Sequence, residues 1–341
     1  MSAPAQTGPQ ATFMEGVRRA FAGSSAWPIF AALIAVILVS AAISASQGEN
    51  FFTVANLRDM LVRSVALGIV AAGQTLVIVG GSLDLSVAYL ISVATIVAAT
   101  VMAGNPDMIF FGVLAVLAVG ALVGLINGLV ITKLRVNAFI ATLGTALIMR
   151  GILDANFEGA SGEVPREFGF LGYGGIGPVP FSVILLLAVF ALVWFLLRST
   201  RFGHRLYAVG GSEETARLSG VRTHRVIIGA HVLCSLAAVL TGLFIASRLR
   251  AGDPLVGPVG GYDLESIAAV VVGGTALAGG RGGVIGTLGG VFILAVLDNL
   301  FNTLEVNAFL KDVIRGIIII AAVALYALRR RGGTERRGEA A

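Results

Sequence analysis

Charged residues are scarce in this chain, and their scarcity excludes a soluble globular domain. Asp, Glu, Lys and Arg together make up 13% of the 341 residues, whereas 57% of the residues are hydrophobic. Soluble domains carry about 25% charged residues. Apolar runs of about 20 residues recur along the chain, which is the length that a helix needs to cross the hydrocarbon core of a membrane. The composition therefore predicts an all-α polytopic membrane protein.

Cysteine and lysine are also nearly absent. The one cysteine, Cys234, lies in an apolar run and cannot form a disulfide within the chain, so we expect a buried, inert thiol. The lysines are Lys133 and Lys311, and neither follows the glycines of the phosphate-binding motif Gly-x-x-x-x-Gly-Lys-Ser/Thr. The sequence therefore excludes an ATPase site in this chain and indicates no cofactor or metal of its own. Any energy-dependent activity would have to draw on another polypeptide or on a gradient.

Ten apolar runs have about the length of a membrane span. They lie near residues 28–46, 62–81, 85–103, 109–131, 138–155, 179–197, 226–248, 264–280, 283–303 and 310–328. The predicted transmembrane domain covers residues 27–328. Residues 1–26 are predicted to be a disordered cytoplasmic tail, and residues 329–341 a basic cytoplasmic tail.

The basic residues of the short loops predict the orientation, because cytoplasmic loops of membrane proteins are enriched in Lys and Arg. Alternate loops carry the arginines, among them Arg198, Arg201, Arg205, Arg222 and Arg225. The loops between them carry mainly acids instead. This alternation predicts that the N and C termini both lie in the cytoplasm.

Glycines recur at intervals of four residues in the fourth and ninth predicted spans. Such spacing places small residues on one helix face and lets a neighbouring backbone approach closely. The glycines are Gly120, Gly124, Gly128, Gly282, Gly286 and Gly290. Because the two spans are five apart, the pattern also predicts an inverted repeat of spans 2–5 and 7–10.

One polar stretch interrupts the apolar chain in its longest predicted cytoplasmic loop, residues 198–225. The sequence GGSEETARLSGV, residues 210–221, offers Ser212 as an N-cap, acids in the first turn and Gly220 as a stop. A helix of about two turns is not stable alone in water, so it must pack against something. The residues leave two alternatives open, namely the membrane face of the protein itself and a cytoplasmic partner.

Four segments in order resemble the permeases of ribose/xylose/arabinose-type ABC importers, a branched-chain-permease-like family of binding-protein-dependent transporters. They are GGSLDLSVAYL (80–90), NAFIATLGTALIMRGI (137–152), GGSEETARLSGV (210–221) and GGTALAGGRGGVIGTLGGVFIL (273–294). The resemblance extends over roughly residues 50–328.

The resemblance implies a multi-pass permease subunit in the bacterial inner membrane that works as a homodimer surrounded by lipid. A periplasmic binding protein would deliver a monosaccharide or related polyol. A separate ATPase subunit, which would hold ATP and Mg, would bind the coupling residues. These are Gly210, Gly211, Ser212, Glu213, Glu214, Ala216, Arg217, Leu218, Ser219 and Gly220.

A sugar path needs amide and hydroxyl groups within or beside the spans. The sequence offers Gln74, Thr75, Asn127, Asn137, Thr142, Thr145 and Asn299. Hydrogen bonds between helices are the alternative role for each of these side chains. The predicted outer loop 154–178 contains Phe168, Phe170 and Tyr173, which would either contact the binding protein or form an interfacial aromatic belt.

Two other classes of protein compete with this interpretation. A gradient-driven transporter needs ionisable groups inside the membrane, and Asp84 and Asp298 are the candidates. Neither has a basic residue nearby in the sequence, and capping a helix is the simpler role for Asp84. A membrane enzyme would need linked catalytic or metal-binding residues, but His204, His224 and His231 show no such spacing.

Overall fold

Helices make up most of the chain in the computed structural model, which describes residues 27–307, 309–311, 313–314 and 316–317. The two predicted tails lie outside the described residues. So does most of the predicted tenth span, 310–328.

The helices follow one another with short connections. They are α1 (Trp27–Ser46), α2 (Val54–Val79), α3 (Val87–Met102), α4 (Ile109–Lys133), α5 (Ala138–Asn156), α6 (Phe170–Tyr173), α7 (Phe181–Ser199), α8 (Arg201–Gly211), α9 (Glu213–Leu218), α10 (Thr223–Leu249), α11 (Val256–Val259), α12 (Tyr262–Val272) and α13 (Val284–Thr303). Two 3₁₀ turns, Pro106–Met108 and Arg166–Gly169, precede α4 and α6. Strands β1 (Gly175–Ile176) and β2 (Val179–Pro180) form a small antiparallel hairpin that the sequence did not predict.

Seven helices of the described chain are long and apolar enough to cross a membrane: α1, α2, α4 with its preceding turn, α5, α7, α10 and α13. The predicted span 264–280 is wrong in its extent, because α12 has 11 residues and ends at Val272. At 1.5 Å per residue it is about 16 Å long, about half of the roughly 30 Å hydrocarbon core. Gly273 and Gly274 end it, and Gly274 has a φ of +83°. The predicted span 85–103 corresponds to α3, which has 16 residues.

Two long helices form the centre of the bundle. α10 packs against α2, α3 and α4, while α2 also contacts α7, α12 and α13. Every residue of α2 from Ser64 to Val79 is buried. This part of α2 is mostly apolar on every side because other helices surround it. α1, in contrast, packs on α13 and is mostly exposed.

The predicted packing glycines lie where helices approach closely, with one exception. A methyl group added at Gly124 would lie 2.6 Å from Val232 Cα, and one at Gly128 would lie 2.7 Å from Ile228 Cα, both on α10. Added methyl groups at Gly120, Gly286 and Gly290 would also collide with neighbouring helices. Gly282 is the exception, because it precedes α13 and has a φ of +119°. The helical spacing assigned to Gly282 is therefore wrong.

The connecting segments gather at two ends of the bundle. Segments 80–86, 199–222 and 273–283 contact one another at what we call the coupling-loop end. At the opposite end, Gly104 N donates to Glu163 O over 2.8 Å, and Ser161 pairs with Gly252 in an isolated β-bridge. The short helix α9 therefore lies at the other end from the loop that contains Phe170 and Tyr173.

Candidate functional site

The polar stretch of the coupling-loop end forms the predicted short helix, α9, with six residues. Ser212 Oγ accepts a hydrogen bond from Thr215 N at 3.2 Å and so caps the first turn, where Glu213 and Glu214 face the positive helix end. After the helix, Gly220 has a φ of +81°, which lets Val221 N donate to Ala216 O over 3.0 Å. Local capping signals therefore account for both ends of α9.

The two faces of α9 have different surroundings. Ala216 is buried, and α9 packs there mainly on α8. Leu218 is 81% exposed, and Glu213, Glu214 and Arg217 are exposed around it. One face of α9 thus rests on the protein itself, and the other presents an apolar side chain among charges.

The sequence patterns did not predict helix α8, on which α9 packs. Its buried side chains, Leu206 and Val209, are spaced by three residues and face the bundle. Thr200 Oγ1 caps it by accepting from Gly203 N at 3.2 Å. The spacing of Leu206 and Val209 after a capping threonine is typical of a short amphipathic helix. The glycines and arginines around these residues are typical of a loop, and they outnumber the apolar side chains.

Three Gly-Gly pairs from distant parts of the chain meet beside α8. They are Gly80–Gly81 at the end of α2, Gly210–Gly211 at the end of α8, and Gly279–Gly280 between α12 and α13, and we call them the glycine junction.

Backbones touch directly at this junction. Gly280 N donates to Val79 O over 2.9 Å. A methyl group added at Gly210 would collide with Val79 O and would lie 2.6 Å from Gly280 N. Only glycine permits such close contact, so the chain that carries α9 is joined to α2 and to the α12–α13 segment without intervening side chains.

Tyr207 adds a side-chain contact to the same junction. Its hydroxyl donates to Gly282 O over 2.8 Å. Burial raises the pKa of Tyr207 above its ordinary value, so the hydroxyl keeps its proton at neutral pH. α8 therefore contacts the α12–α13 segment at two points, Tyr207 and the Gly210–Gly211 pair.

A buried polar network begins immediately after the junction. Asp84 is fully buried, and its Oδ1 accepts hydrogen bonds from Ser86 N at 2.9 Å and from Ser86 Oγ. His231 Nδ1 of α10 lies 3.3 Å from Asp84 Oδ2, and His231 Nε2 lies 2.9 Å from Ser82 Oγ. Asn127 Nδ2 donates to Ser86 Oγ over 3.0 Å.

Asp84, which has no basic residue nearby in the sequence, pairs with His231 of a distant helix. The two residues are 147 positions apart in the sequence, so no local sequence pattern predicts their contact. His231 is eight residues into α10, about 12 Å from its start. Segment 80–86 therefore turns back from the glycine junction into the bundle, where the network holds it.

The arrangement Ser82–His231–Asp84 has the order of a hydrolase triad, but its surroundings indicate a structural role. Asp84 and His231 have no exposed surface, and the second oxygen of Asp84 is occupied by Ser86. Among the residues that the structure describes, no group of three or more His, Cys, Asp or Glu side chains could hold a metal ion. The network can fix segment 80–86 between α4, α5 and α10.

Four of the seven predicted path residues lie in or beside this network, namely Gln74, Asn127, Thr142 and Thr145. Gln74 Nε2 donates to Asp84 O over 3.3 Å, and Thr142 Oγ1 accepts from Leu85 N at 3.1 Å. Asn127 Oδ1 accepts from Thr145 Oγ1 at 2.7 Å. Each of these side chains is engaged in a bond between segments.

The other three path residues lie elsewhere. Asn137 caps α5 by accepting from Phe139 N at 2.9 Å. Asn299 Nδ2 donates to Asn56 Oδ1 over 2.6 Å, pairing α13 with α2. Thr75 Oγ1 shares a hydrogen bond of 2.8 Å with Thr287 Oγ1 of α13. The structure thus does not bring the seven predicted side chains together along one path.

At the opposite end, the predicted aromatic side chains differ in exposure. Phe168 is buried, whereas Phe170 and Tyr173 are 54% and 60% exposed. The Tyr173 hydroxyl donates to Arg248 O over 2.8 Å, which ties this loop to the end of α10. Phe170 and Tyr173 therefore form an exposed aromatic surface on an anchored segment.

Helix α5 presents an unusual outer face. It packs mainly on α3 and α4, and a methyl group added at Gly144 or Gly151 would meet no atom within 4 Å. Ile140, Ile148 and Ile152 on the same helix are exposed. Open glycines beside apolar side chains would allow another helix to approach closely.

Comparisons with known proteins agree on one family. The family model described as "Branched-chain amino acid transport system / permease component" matches residues 56–323. The ribose import permease protein RbsC of Escherichia coli (strain K12) is 38% identical over 305 residues, which cover 88% of this chain and 94% of that protein.

Two further relatives from the same strain show comparable similarity. The L-arabinose transport system permease protein AraH is 36% identical over 309 residues, covering 90% of this chain and 92% of AraH. The galactose/methyl galactoside import permease protein MglC is 36% identical over 313 residues, covering 86% and 93%. No solved structure matches the chain significantly.

Proposed function

Because the chain belongs to the family of branched-chain amino acid transport system permease components, we propose that it is the transmembrane subunit of an ATP-binding-cassette importer. Its substrate would be a monosaccharide or a related polyol, because relatives that cover most of the chain are permeases for ribose, L-arabinose and galactose. The chain would act as a transport subunit and not as an enzyme.

The observation that carries this proposal is the exposure of Leu218. A partner would bury this side chain, which is 81% exposed on a six-residue helix, and its charged neighbours suit a polar rim around an apolar groove. We assign the groove to a cytoplasmic ATPase subunit, which would hold ATP and Mg.

The glycine junction supplies the route by which such a partner would act on the membrane helices. Movement of α9 reaches Val79 of α2 and Gly280 before α13 through backbone contacts. Direct backbone contacts transmit displacement because no flexible side chain lies between them to absorb the movement. The next segment along the chain, 80–86, is held by His231 of α10, so the centre of the bundle would follow.

The distribution of charge supports the orientation. Arg201, Arg205, Arg222 and Arg225 lie at the coupling-loop end, and the loop 157–165 at the opposite end contains Glu158 and Glu163. By the positive-inside rule the coupling-loop end faces the cytoplasm of a bacterial inner membrane, with both termini on that side.

The helix contacts support an inverted repeat of α2–α5 with α10, α12, α13 and the predicted tenth span. α3 and α4 contact each other and α10. Their proposed counterparts, α12 and α13, contact each other and α2. The second and third helices of each half therefore pack on the first helix of the other half, as a two-fold axis in the membrane plane would produce.

The open face of α5 supports a homodimer. A second copy packed on Gly144 and Gly151 would cover apolar side chains and place α5 of both copies at the centre of the assembly. A sugar path between two copies would then end at the opposite end, where Phe170 and Tyr173 offer a surface for a periplasmic binding protein.

One observation favours a second candidate, a gradient-driven transporter. Asp84 and His231 form a buried ionisable pair within the bundle, which is what a coupling ion or proton requires. In this alternative the pair would bind the ion, and α9 would have no ATPase partner.

A pull-down separates the two candidates. We expect the tagged chain, extracted in mild detergent, to retain a polypeptide with a Gly-x-x-x-x-Gly-Lys-Ser/Thr motif. Leu218→Asp should lose that partner, whereas Leu255→Asp, a control at the exposed opposite end, should keep it. Recovery of the wild-type chain alone, even after crosslinking through residues 210–221, would favour the gradient-driven transporter.

A further inference from the structure

A cavity of about 490 Å³ lies between α8 and the start of α10, beside the end of α9. Its walls consist of Phe202, Arg205, Gly220, Arg222, Arg225 and Val226. It adjoins the α9 segment at Gly220 and is separate from the buried network around Asp84.

The cavity is strongly positive. Three of its six lining residues are arginines, and in the part of the chain that the structure describes none of them forms an ion pair with a carboxylate; the ion pairs found there are Arg63–Asp59, Arg150–Asp154 and His231–Asp84. Guanidinium groups stay protonated at any physiological pH. All three side chains are exposed, so water and salt screen their mutual repulsion, and an anion held between them would reduce the repulsion that remains.

The start of α10 adds to this potential. Arg222 is the N-cap residue, and the first turn of this 27-residue helix contains no acid. Helix N-termini carry partial positive charge. Acidic residues therefore stabilise a helix start, and basic residues such as Arg222 and Arg225 destabilise it. A bound anion would relieve both the repulsion and the mismatch.

The shape and lining indicate the class of anion. Guanidinium forks match the geometry of phosphate oxygens and can bind them in pairs. The cavity volume lies within the range of about 300–1,000 Å³ that is typical of small-molecule sites, and is too large for one carboxylate side chain. Phe202 and Val226 supply an apolar wall for the organic part of the ligand.

We propose that this cavity binds the phosphate group of an organic phosphate, and that the bound anion stabilises the segment that carries α9. The phosphate belongs either to the headgroup of an anionic phospholipid or to a phosphorylated solute. Gly220 both lines the cavity and ends α9, so occupancy reaches the coupling segment directly. The binding itself needs neither an ATPase nor a sugar.

The test uses the full chain in two settings. In detergent or in phosphatidylcholine nanodiscs, inorganic phosphate is added and thermal unfolding is followed, with chloride at equal ionic strength as the reference. In a second arm, nanodiscs of phosphatidylglycerol and of phosphatidylcholine are compared, and co-purified lipid is counted by native mass spectrometry. Stabilisation in the first arm assigns a soluble phosphate, and selective retention of phosphatidylglycerol in the second assigns a headgroup.

Variants connect the effect to the cavity. We expect Arg205→Gln combined with Arg225→Gln to weaken phosphate or phosphatidylglycerol binding about tenfold or more, while the unliganded chain unfolds at or slightly above the wild-type temperature because fewer like charges remain. Arg201→Gln, on the same helix but outside the cavity, should bind as wild type does. Equal binding by all variants, or no binding of either probe by wild type, would overturn the proposal. So would loss of the ATPase subunit from the double variant without any effect of either probe, because the arginines would then belong to a protein interface.

Discussion

The amide of Gly280 donates a 2.9 Å hydrogen bond to the carbonyl of Val79, and Gly210 lies against both groups. Three segments far apart in the chain thus meet through their backbones alone. This contact links the soluble helix α9 to the buried centre of the bundle, and several measurable consequences follow from its geometry.

Gly210→Ala should destabilise the protein, whereas Gly211→Ala should be neutral. A methyl group at Gly210 would collide with Val79 O, but one at Gly211 would meet no atom within 4 Å. We expect Gly210→Ala to cost about 1–3 kcal/mol of unfolding free energy because backbones must separate. Thermal unfolding of both variants in detergent measures the difference. Equal unfolding midpoints would show that the backbones of Gly210 and Val79 are not in close contact.

Asp84→Asn should be far more damaging than Asp59→Asn. Asp84 is fully buried with His231, so removing its charge should cost about 3–5 kcal/mol. Asp59 forms an exposed pair with Arg63 within one helix, which is worth about 0.3–0.5 kcal/mol. Comparison of the unfolding midpoints checks this. Similar small losses in both variants would mean that the buried pair does not hold segment 80–86.

Gly286→Leu should destabilise the isolated chain, and Gly144→Leu should not. A side chain at Gly286 would be driven into the Gly273 carbonyl, whereas Gly144 faces open space. If a second copy packs on α5, Gly144→Leu should instead shift the protein from dimer to monomer in light scattering. An unchanged dimer would exclude α5 as the interface.

If an ATPase subunit binds α9 as proposed, reversing the charge of Glu214 or Arg217 should weaken its binding without affecting membrane insertion. Both side chains are exposed on α9 beside Leu218, and in the described part of the chain neither forms an ion pair, so only the weak interaction of Glu214 with the helix N-terminus is lost. Co-purification from detergent measures retention of the partner. A charge-reversed variant that keeps the ATPase and transports normally would contradict the role of α9.

Thiol labelling tests the orientation with little background, because the native Cys234 is fully buried. A membrane-impermeant reagent added to intact cells should label Ala160→Cys, which is exposed at the end opposite α9. Glu213→Cys should react only after the membrane is opened. The reverse pattern would place the coupling-loop end outside the cell.

Composition and local pattern were sufficient to predict a helical membrane protein, the extent of most spans and the short helix between Ser212 and Gly220. These features depend on residues that are neighbours in sequence, such as a capping serine three positions before the amide that it binds. The ordered resemblance of four segments then indicated the family, which residues 56–323 match.

The tertiary structure alone decided which distant residues meet. Local pattern carries no information on a contact between Asp84 and His231, or on three glycine pairs from segments that lie far apart in the chain. It also overestimated α12, since Val272 is followed by glycines whose apolar neighbours imitate a continuing span. Such features depend on how helix backbones pack in three dimensions, and composition specifies only that each run is apolar.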